Sequence, residues 1–404
     1  MIKQSENTHL TKAEIIKSGS IYTGPELVNL VFSQISEFIT DNSVIADLGS
    51  GYGAFIEKFK VCGKRCFGTE YDNLSYKLLT EEYPNIQFYH ENSLSNVTRE
   101  KYDLNDNDHL IIVGNPPYND TTSIFKKGEK GEIICDSDIV SRDFGISFLK
   151  AYNKLKADYI CVLHPLAYLI KKQNFNSLGE FKNNYKLISA YVFSSKEFES
   201  IKKSNSDFPV VSALYKRTKE GMNYQDIQDF NFNIYNSNSK FILANISTID
   251  GKINKYPKKA KITPSENISE SELNHPSINT NKLQFYTLRD MNALYRNTSF
   301  LNGPIPNGID VTMENLYQYS WLYFLKNNFQ PKKNKFLFGN LSPLYTNKLE
   351  DESFKNEVVS YAVNNCELIK NYYPLDNIKA LYGPLTNQYN ALYEELYTLS
   401  NMFD

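Results

Sequence analysis

The segment Val44-Ile45-Ala46-Asp47-Leu48 runs straight into Gly49-Ser50-Gly51-Tyr52-Gly53, and this junction constrains the fold of the 404-residue chain more than any other feature. A short, nearly unbroken apolar run bounded by glycine suits a strand buried on both faces, as in a parallel sheet. Three glycines at alternate positions allow a tight turn and let the backbone approach a ligand closely, which side chains would obstruct. A helix is expected to open near Gly53-Ala54-Phe55, completing a strand–turn–helix unit.

The flanking sequence repeats that alternation. Thr23-Gly24 ahead of Pro25 signals a helix start, and Leu27, Val28, Val31, Ile35, Phe38 and Ile39 share one face, predicting a helix from about 25 to 40. Strands are expected at 65–70, 86–89, 109–113, 159–163, 187–193 and 210–215, with helices at 73–83 and 141–156. This order implies a parallel sheet covered by helices on both faces. Residues 119–136, polar and rich in Lys and Gly, read as a loop placed to close over a substrate. After about residue 220 the alternation stops and Asn, Ser and Tyr become frequent. We therefore expect one domain over 1–220 and a second, mainly helical or mixed, over 221–404.

No apolar run approaches the roughly 20 residues that span a bilayer, and the N-terminus lacks the apolar core of a signal peptide, so a soluble, cytoplasmic protein is expected. The five cysteines are scattered; Cys62 and Cys66 have no nearby His or second Cys pair to complete a zinc site, and no metal is expected. The formal net charge is −2, but it is unevenly spread: 1–120 is acidic and 121–220 basic. With Lys252, Lys255, Lys258, Lys259 and Lys261, the basic stretch could follow a phosphate backbone, as readily as it could form a solvated face.

A second informative stretch is Ile111-Ile112-Val113-Gly114-Asn115-Pro116-Pro117-Tyr118. In isolation it is an apolar strand entering a turn, since proline fixes φ and cannot donate to a sheet. At the carboxyl edge of a parallel sheet, where ligands bind, two rigid prolines would aim an amide, a carbonyl and an aromatic ring at one spot. Asp47, ahead of the first glycine, suits a positively charged amino-acid moiety better than a pyrophosphate, as the ammonium of S-adenosylmethionine would be. Glu70, at the expected end of the second strand, can accept from both hydroxyls of a ribose.

Taken together, these motifs resemble the S-adenosylmethionine-dependent methyltransferases that act on adenine N6 in DNA, with the motif order of the gamma class. The resemblance covers residues 20–217 and implies a Rossmann-like doubly wound sheet, mostly parallel with an antiparallel last strand. It places Tyr22 and Thr23 at the methionine end of the cofactor, Asp47, Gly49 and Gly51 in the glycine loop, Glu70 and Tyr71 at the ribose, and Asn115-Pro116-Pro117-Tyr118 at catalysis, Asn115 also lying against the cofactor. Where the family usually has an Asp facing the cofactor's adenine amino group, this chain has Glu91-Asn92-Ser93; Asn92 can accept through its amide oxygen. Tyr118 would hold one face of a flipped-out target base, and Phe198 or Phe208 the other, with ordinary core packing the alternative for either Phe. The partners implied are double-stranded DNA, read by 221–404, and, in a restriction-modification rather than a solitary system, a separate cognate restriction endonuclease.

Other chemistries are weighed on the same residues. Cytosine C5 methylation needs a cysteine nucleophile, normally beside a proline; no Pro-Cys occurs, and Cys135 and Cys161 read as ordinary thiols. No Asp…Glu-X-Lys nuclease constellation is present, so no fused endonuclease is expected. Cytosine N4 uses a related tetrapeptide. RNA adenine-N6 and protein-glutamine methyltransferases share the tetrapeptide, and a non-catalytic nucleic-acid-binding scaffold stands as a separate class. The large C-terminal region favours DNA.

Overall fold

A computed structural model describes residues 23–118, 135–198, 208–245, 282–286, 299–304, 308–328 and 351–394. The chain divides into two compact units, Met1–Ala244 and Asn245–Asp404.

The first unit is built on a nine-stranded sheet with the order β3-β2-β1-β4-β5-β7-β6-β8-β9. Its strands are β1 (Ser43–Leu48), β2 (Arg65–Thr69), β3 (Gln87–Tyr89), β4 (His109–Gly114), β5 (Tyr159–Pro165), β6 (Tyr185–Ser194), β7 (Pro209–Arg217), β8 (Asn231–Ile234) and β9 (Lys240–Ile242). β1 pairs in parallel with both β2 and β4, and every residue of β1 is buried, as its apolar run requires. β7 runs antiparallel to both β5 and β6, so the expected doubly wound sheet with an antiparallel last strand is the observed one. The order reverses at β1, between β2 and β4, which leaves a crevice beyond the strand ends.

Helix α1 (Pro25–Ile35) starts at Pro25, as predicted, but stops five residues early and ends in a 3₁₀ turn, Ser36–Phe38. Leu27, Val28, Val31 and Ile35 face a core with Ile45, Ile111, Cys161 and Leu163 from three strands. α2 (Ala54–Phe59) follows the glycine turn; α3 (Asn73–Glu82) is capped by Asp72 and α4 (Phe144–Lys154) by Asp143.

The first unit extends past the boundary expected near 220. β8 pairs in parallel with β6 and antiparallel with β9, adding two strands to the same sheet. β8 reads Asn-Phe-Asn-Ile, a two-residue alternation that buries Phe232 and Ile234. The rise in Asn near 220 therefore marks short sheet-edge strands, and the compact unit closes at Ala244.

The second unit combines a small antiparallel sheet, β11-β10-β12, from Leu283–Tyr286 (β10), Phe300–Asn302 (β11) and Gly308–Asp310 (β12), with helices α5 (Leu316–Asn328), α6 (Glu352–Asn365), α7 (Glu367–Tyr372) and α8 (Leu375–Tyr382). Its core is aromatic: Trp321 packs on Phe354 with ring centroids 5.2 Å apart, and Phe324 meets Tyr361 edge-on at 4.9 Å. Among the described residues, no helix is long and apolar enough to cross a membrane.

Candidate active site

The glycine turn folds over the end of the neighbouring strand. The amides of Gly49 and Ser50 both donate to the Thr69 carbonyl, at 3.1 and 2.9 Å, and the Ser50 hydroxyl donates back to the Asp47 carbonyl at 2.8 Å. Gly53 ends the turn at φ +79°, where a Cβ would lie 2.8 Å from Leu79 Cδ2, so only glycine fits before α2. The next strand end contributes Glu70. Its Oε2 accepts from the Gly51 amide and its Oε1 from the Asp72 amide, both at 2.8 Å. Glu70 thus sits against the turn as expected, with its carboxylate held by backbone donors.

Asp47 lies at the centre. It is only 2% exposed, and its Oδ2 has no hydrogen-bond partner. Burial pushes its carboxyl well above the usual carboxylate range, and the negative charge of Glu70 adds to the shift. Burial likewise raises Glu70, against the lowering effect of its backbone donors. A buried carboxylate oxygen without a donor is unfavourable, and a bound cation or donor would relieve it.

Directly beside it, β4 ends in Gly114 at φ +149°. A Cβ there would lie 2.6 Å from Asp47 Oδ1, so the backbone leading into Asn115 passes the carboxylate closer than any side chain would allow. Asn115 is half-buried and Pro116 buried. The Asn115 amide donates to the Thr23 hydroxyl at 3.0 Å, while the Tyr118 hydroxyl donates to Asn115 Oδ1. Thr23 does not cap α1, whose N-cap Gly24 receives no side-chain bond; it orients Asn115 so that the amide oxygen faces Tyr118. Farther along, the Tyr168 hydroxyl and the Gly145 amide both donate to Asp143 Oδ1.

The third strand end carries Asn92 and Ser93. Ser93 is buried and shares a hydrogen bond with Thr69 Oγ1; Asn92 Oδ1, expected to face an adenine amino group, accepts from the Leu94 amide at 2.9 Å. Tyr71 is 76% exposed beside Glu70. Asp47, near the end of β1, and Glu70 and Ser93, just past the ends of β2 and β3, therefore lie in order along one edge. With strands about 4.8 Å apart, that edge spans roughly 10 Å.

The two phenylalanines expected at a target base are placed differently. Phe198 has no exposed surface: its ring meets Phe193 edge-on at 5.9 Å inside the core. Phe208 is half-buried against the same core. Tyr22, the 119–134 loop and the lysines at 252–261 lie outside the described residues. Sequence reasoning missed Gly114, Thr69 and Asp143. Of these, only Gly114 carried a signal, a glycine closing an apolar strand immediately before Asn115.

No protein-family model matches the chain, and no curated protein matches it. Solved structures do align with it. One is a candidate RNA methyltransferase from Pyrococcus horikoshii, at 14% identity and TM-score 0.35 over 54% of this chain and 92% of that one. Another is a modification subunit of a candidate type I restriction enzyme from Vibrio vulnificus, at 14% and 0.37 over 55% of this chain and 58% of that one. A third is a candidate class I S-adenosylmethionine-dependent methyltransferase from Listeria monocytogenes, at 15% and 0.35 over 48% of this chain and 58% of that one. The aligned region spans less than two thirds of the last two proteins.

Proposed function

We propose that the chain binds S-adenosylmethionine and transfers its methyl group to N6 of a flipped-out adenine in a specific duplex DNA sequence, as the modification enzyme of a restriction-modification or solitary system. The observation that carries this reading is the contact between two neighbouring strand ends. Asp47, with an unpartnered buried oxygen suited to an ammonium, touches the glycine that leads into Asn115-Pro116-Pro117-Tyr118. Glu70, one strand over, presents a carboxylate suited to ribose hydroxyls, so Asp47 and Glu70 would hold the ammonium and the ribose of the cofactor.

Bound S-adenosylmethionine would supply an electrophilic methyl group on a sulfonium. The chain's task is to make a poor nucleophile attack it. An adenine amino nitrogen has its lone pair delocalised into the ring, and acceptors on both its hydrogens favour a pyramidal nitrogen with the pair directed outward. Asn115 Oδ1 and the Pro116 carbonyl are the acceptors, and the target amino group displaces the Tyr118 hydroxyl from Asn115. Thr23 keeps the Asn115 amide from rotating. Tyr118, freed from that bond, stacks on the base. When the nitrogen accepts the methyl group from the sulfonium it would gain positive charge, which Asn115 Oδ1 and the Pro116 carbonyl would stabilise until its extra proton passes to water; positioning and electrostatics would provide the acceleration.

Residues 245–404, which this chemistry leaves without a task, read the DNA sequence. Nucleoside analysis of DNA incubated with the protein and S-adenosylmethionine tests the reading. N6-methyladenine is expected. N4-methylcytosine alone would overturn the base assignment, and methylation of RNA or of a glutamine peptide but not DNA would overturn the substrate class.

A further inference from the structure

Lys101 lies outside every motif discussed above, yet its side chain is only 9% exposed. An ammonium has three N–H donors and needs acceptors when buried. Lys101 finds three: the Asn92 carbonyl at 3.0 Å, the Ser95 carbonyl at 2.8 Å and Glu91 Oε2 at 2.8 Å. Two are backbone groups on either side of Ser93, so one cation grips the loop after β3 before and after its central residue. The opposite end of the loop is held by Asp136, which accepts from the amides of Asn96 at 2.7 Å and Val97 at 2.9 Å and donates its own amide to the Leu94 carbonyl at 2.8 Å. Ser93 itself is tied to β2 through Thr69.

This is more fixation than a surface connection needs, and it is applied at the end of the site farthest from Asp47. We infer that Lys101 is a positioning residue that holds the Asn92–Ser95 loop in the shape that reads the nucleobase of the cofactor. The inference rests on the cofactor reading proposed above. A preformed loop binds without an ordering cost at each encounter, so its loosening weakens the ligand and blurs discrimination at the base edge.

The test is binding, without turnover, of S-adenosyl-L-homocysteine and S-inosyl-L-homocysteine to the full chain, by calorimetry. These probes differ only at the purine edge. The wild-type protein is expected to favour the adenosyl compound, and Lys101→Met to weaken it by about tenfold or more while bringing the ratio of the two affinities toward one. A merely structural role would weaken both equally and leave the ratio unchanged, which would overturn the inference, as would a wild-type protein that does not discriminate. If Lys101→Met does not fold, Lys101→Gln, with two donors on a shorter stem, carries the same test with the same outcomes. A folded wild-type protein that binds neither probe would instead overturn the cofactor reading, and this inference with it.

Discussion

Gly114→Ala probes the junction between the two halves of the site. Gly114 sits at φ +149°, a conformation that disfavours side chains, and the new methyl would lie 2.6 Å from Asp47 Oδ1 and 3.6 Å from its Cγ. The backbone strain costs about 1–3 kcal/mol. Overpacking against a strand buried along its whole length adds about 1–3 kcal/mol. The molecule can relieve the clash only by turning the Asp47 carboxylate away or by moving Gly114, and with it Asn115. Turning the carboxylate removes a charge-assisted contact to a bound ammonium, worth about 1.5–3 kcal/mol, or roughly 10- to 100-fold in affinity. Urea unfolding with and without S-adenosyl-L-homocysteine reads both effects. At a ligand concentration 100 times the wild-type Kd, the wild-type transition gains about 2.7 kcal/mol; a variant weakened 100-fold gains only about 0.4 kcal/mol. A variant whose unliganded midpoint and ligand-induced gain both match the wild type would refute the reasoning.

Asn115→Ala should lower turnover by at least ~10²–10³ while leaving S-adenosyl-L-homocysteine binding largely intact, and retention of more than about a tenth of the activity would count against Asn115 as the amino-group acceptor. Because burial and Glu70 raise the Asp47 carboxyl, the free site holds a proton above the ordinary carboxylate range, and an ammonium-bearing ligand must expel it. Affinity should therefore rise with pH from the acid side until Asp47 ionises unaided; calorimetry in two buffers should show proton release, and Asp47→Asn should abolish it. His164, wholly buried with its ring nitrogens facing Tyr215 Oη at 2.7 Å and the Pro165 carbonyl at 3.0 Å, has its pKa pulled down by burial to about 4. Its unfolded form binds more protons, so it contributes up to about 3 kcal/mol of stability above pH 6.5 that is lost as pH falls toward 4; acid unfolding of His164→Phe should be flatter over that window. A 1–220 fragment loses Phe232, Ile234 and Phe241 from the sheet's buried surface, each worth about 1.5–3 kcal/mol, and should be several kcal/mol less stable than a 1–244 fragment by urea unfolding; equal stability would argue that β8 and β9 are dispensable.

The parts legible in the sequence were those whose signal is local. Val44–Leu48 with its glycines, and the strand entering Asn115-Pro116-Pro117-Tyr118, carry their own period and turn chemistry within a few residues, and both form where expected. β8 and β9 escaped notice because four- and three-residue strands with asparagine (β8) or lysine (β9) on the open face look like loop composition; their alternation becomes decisive only once β6 is there to pair with. The contact of Gly114 with Asp47 was hidden for another reason. It depends on the register of β1 against β4, Ala46 opposite Ile112, which no local pattern encodes. Lys101 was invisible because its acceptors are mostly backbone carbonyls. Phe198 shows the converse, an aromatic at a suggestive position whose ring the core claims.

What separates the strand-end site from the rest of the first unit is where the unfavourable features fall. β1 and β4 are otherwise ordinary: apolar, buried and paired. At their carboxyl ends, a carboxylate oxygen is buried without a donor, a glycine is held at φ +149° against that carboxylate, and a second glycine at φ +79° closes a turn into which no side chain fits. Each is a departure that a simple substitution would relieve: Asp47→Asn lightens the buried charge, and a straighter exit from β4 needs no glycine. Stability alone would not gather three such departures at the ends of two adjacent strands and in the turn that follows one of them, because strain persists where the surrounding structure over-determines it and where binding gives it a use. The departures also point the same way. The orphan oxygen calls for a cation, the glycines clear the backbone for a close-lying ligand, and Thr23 fixes the Asn115 amide. A ligand that meets Asp47 therefore also braces the backbone into Asn115, so under the function proposed above the same few atoms would hold the cofactor and set the geometry of transfer.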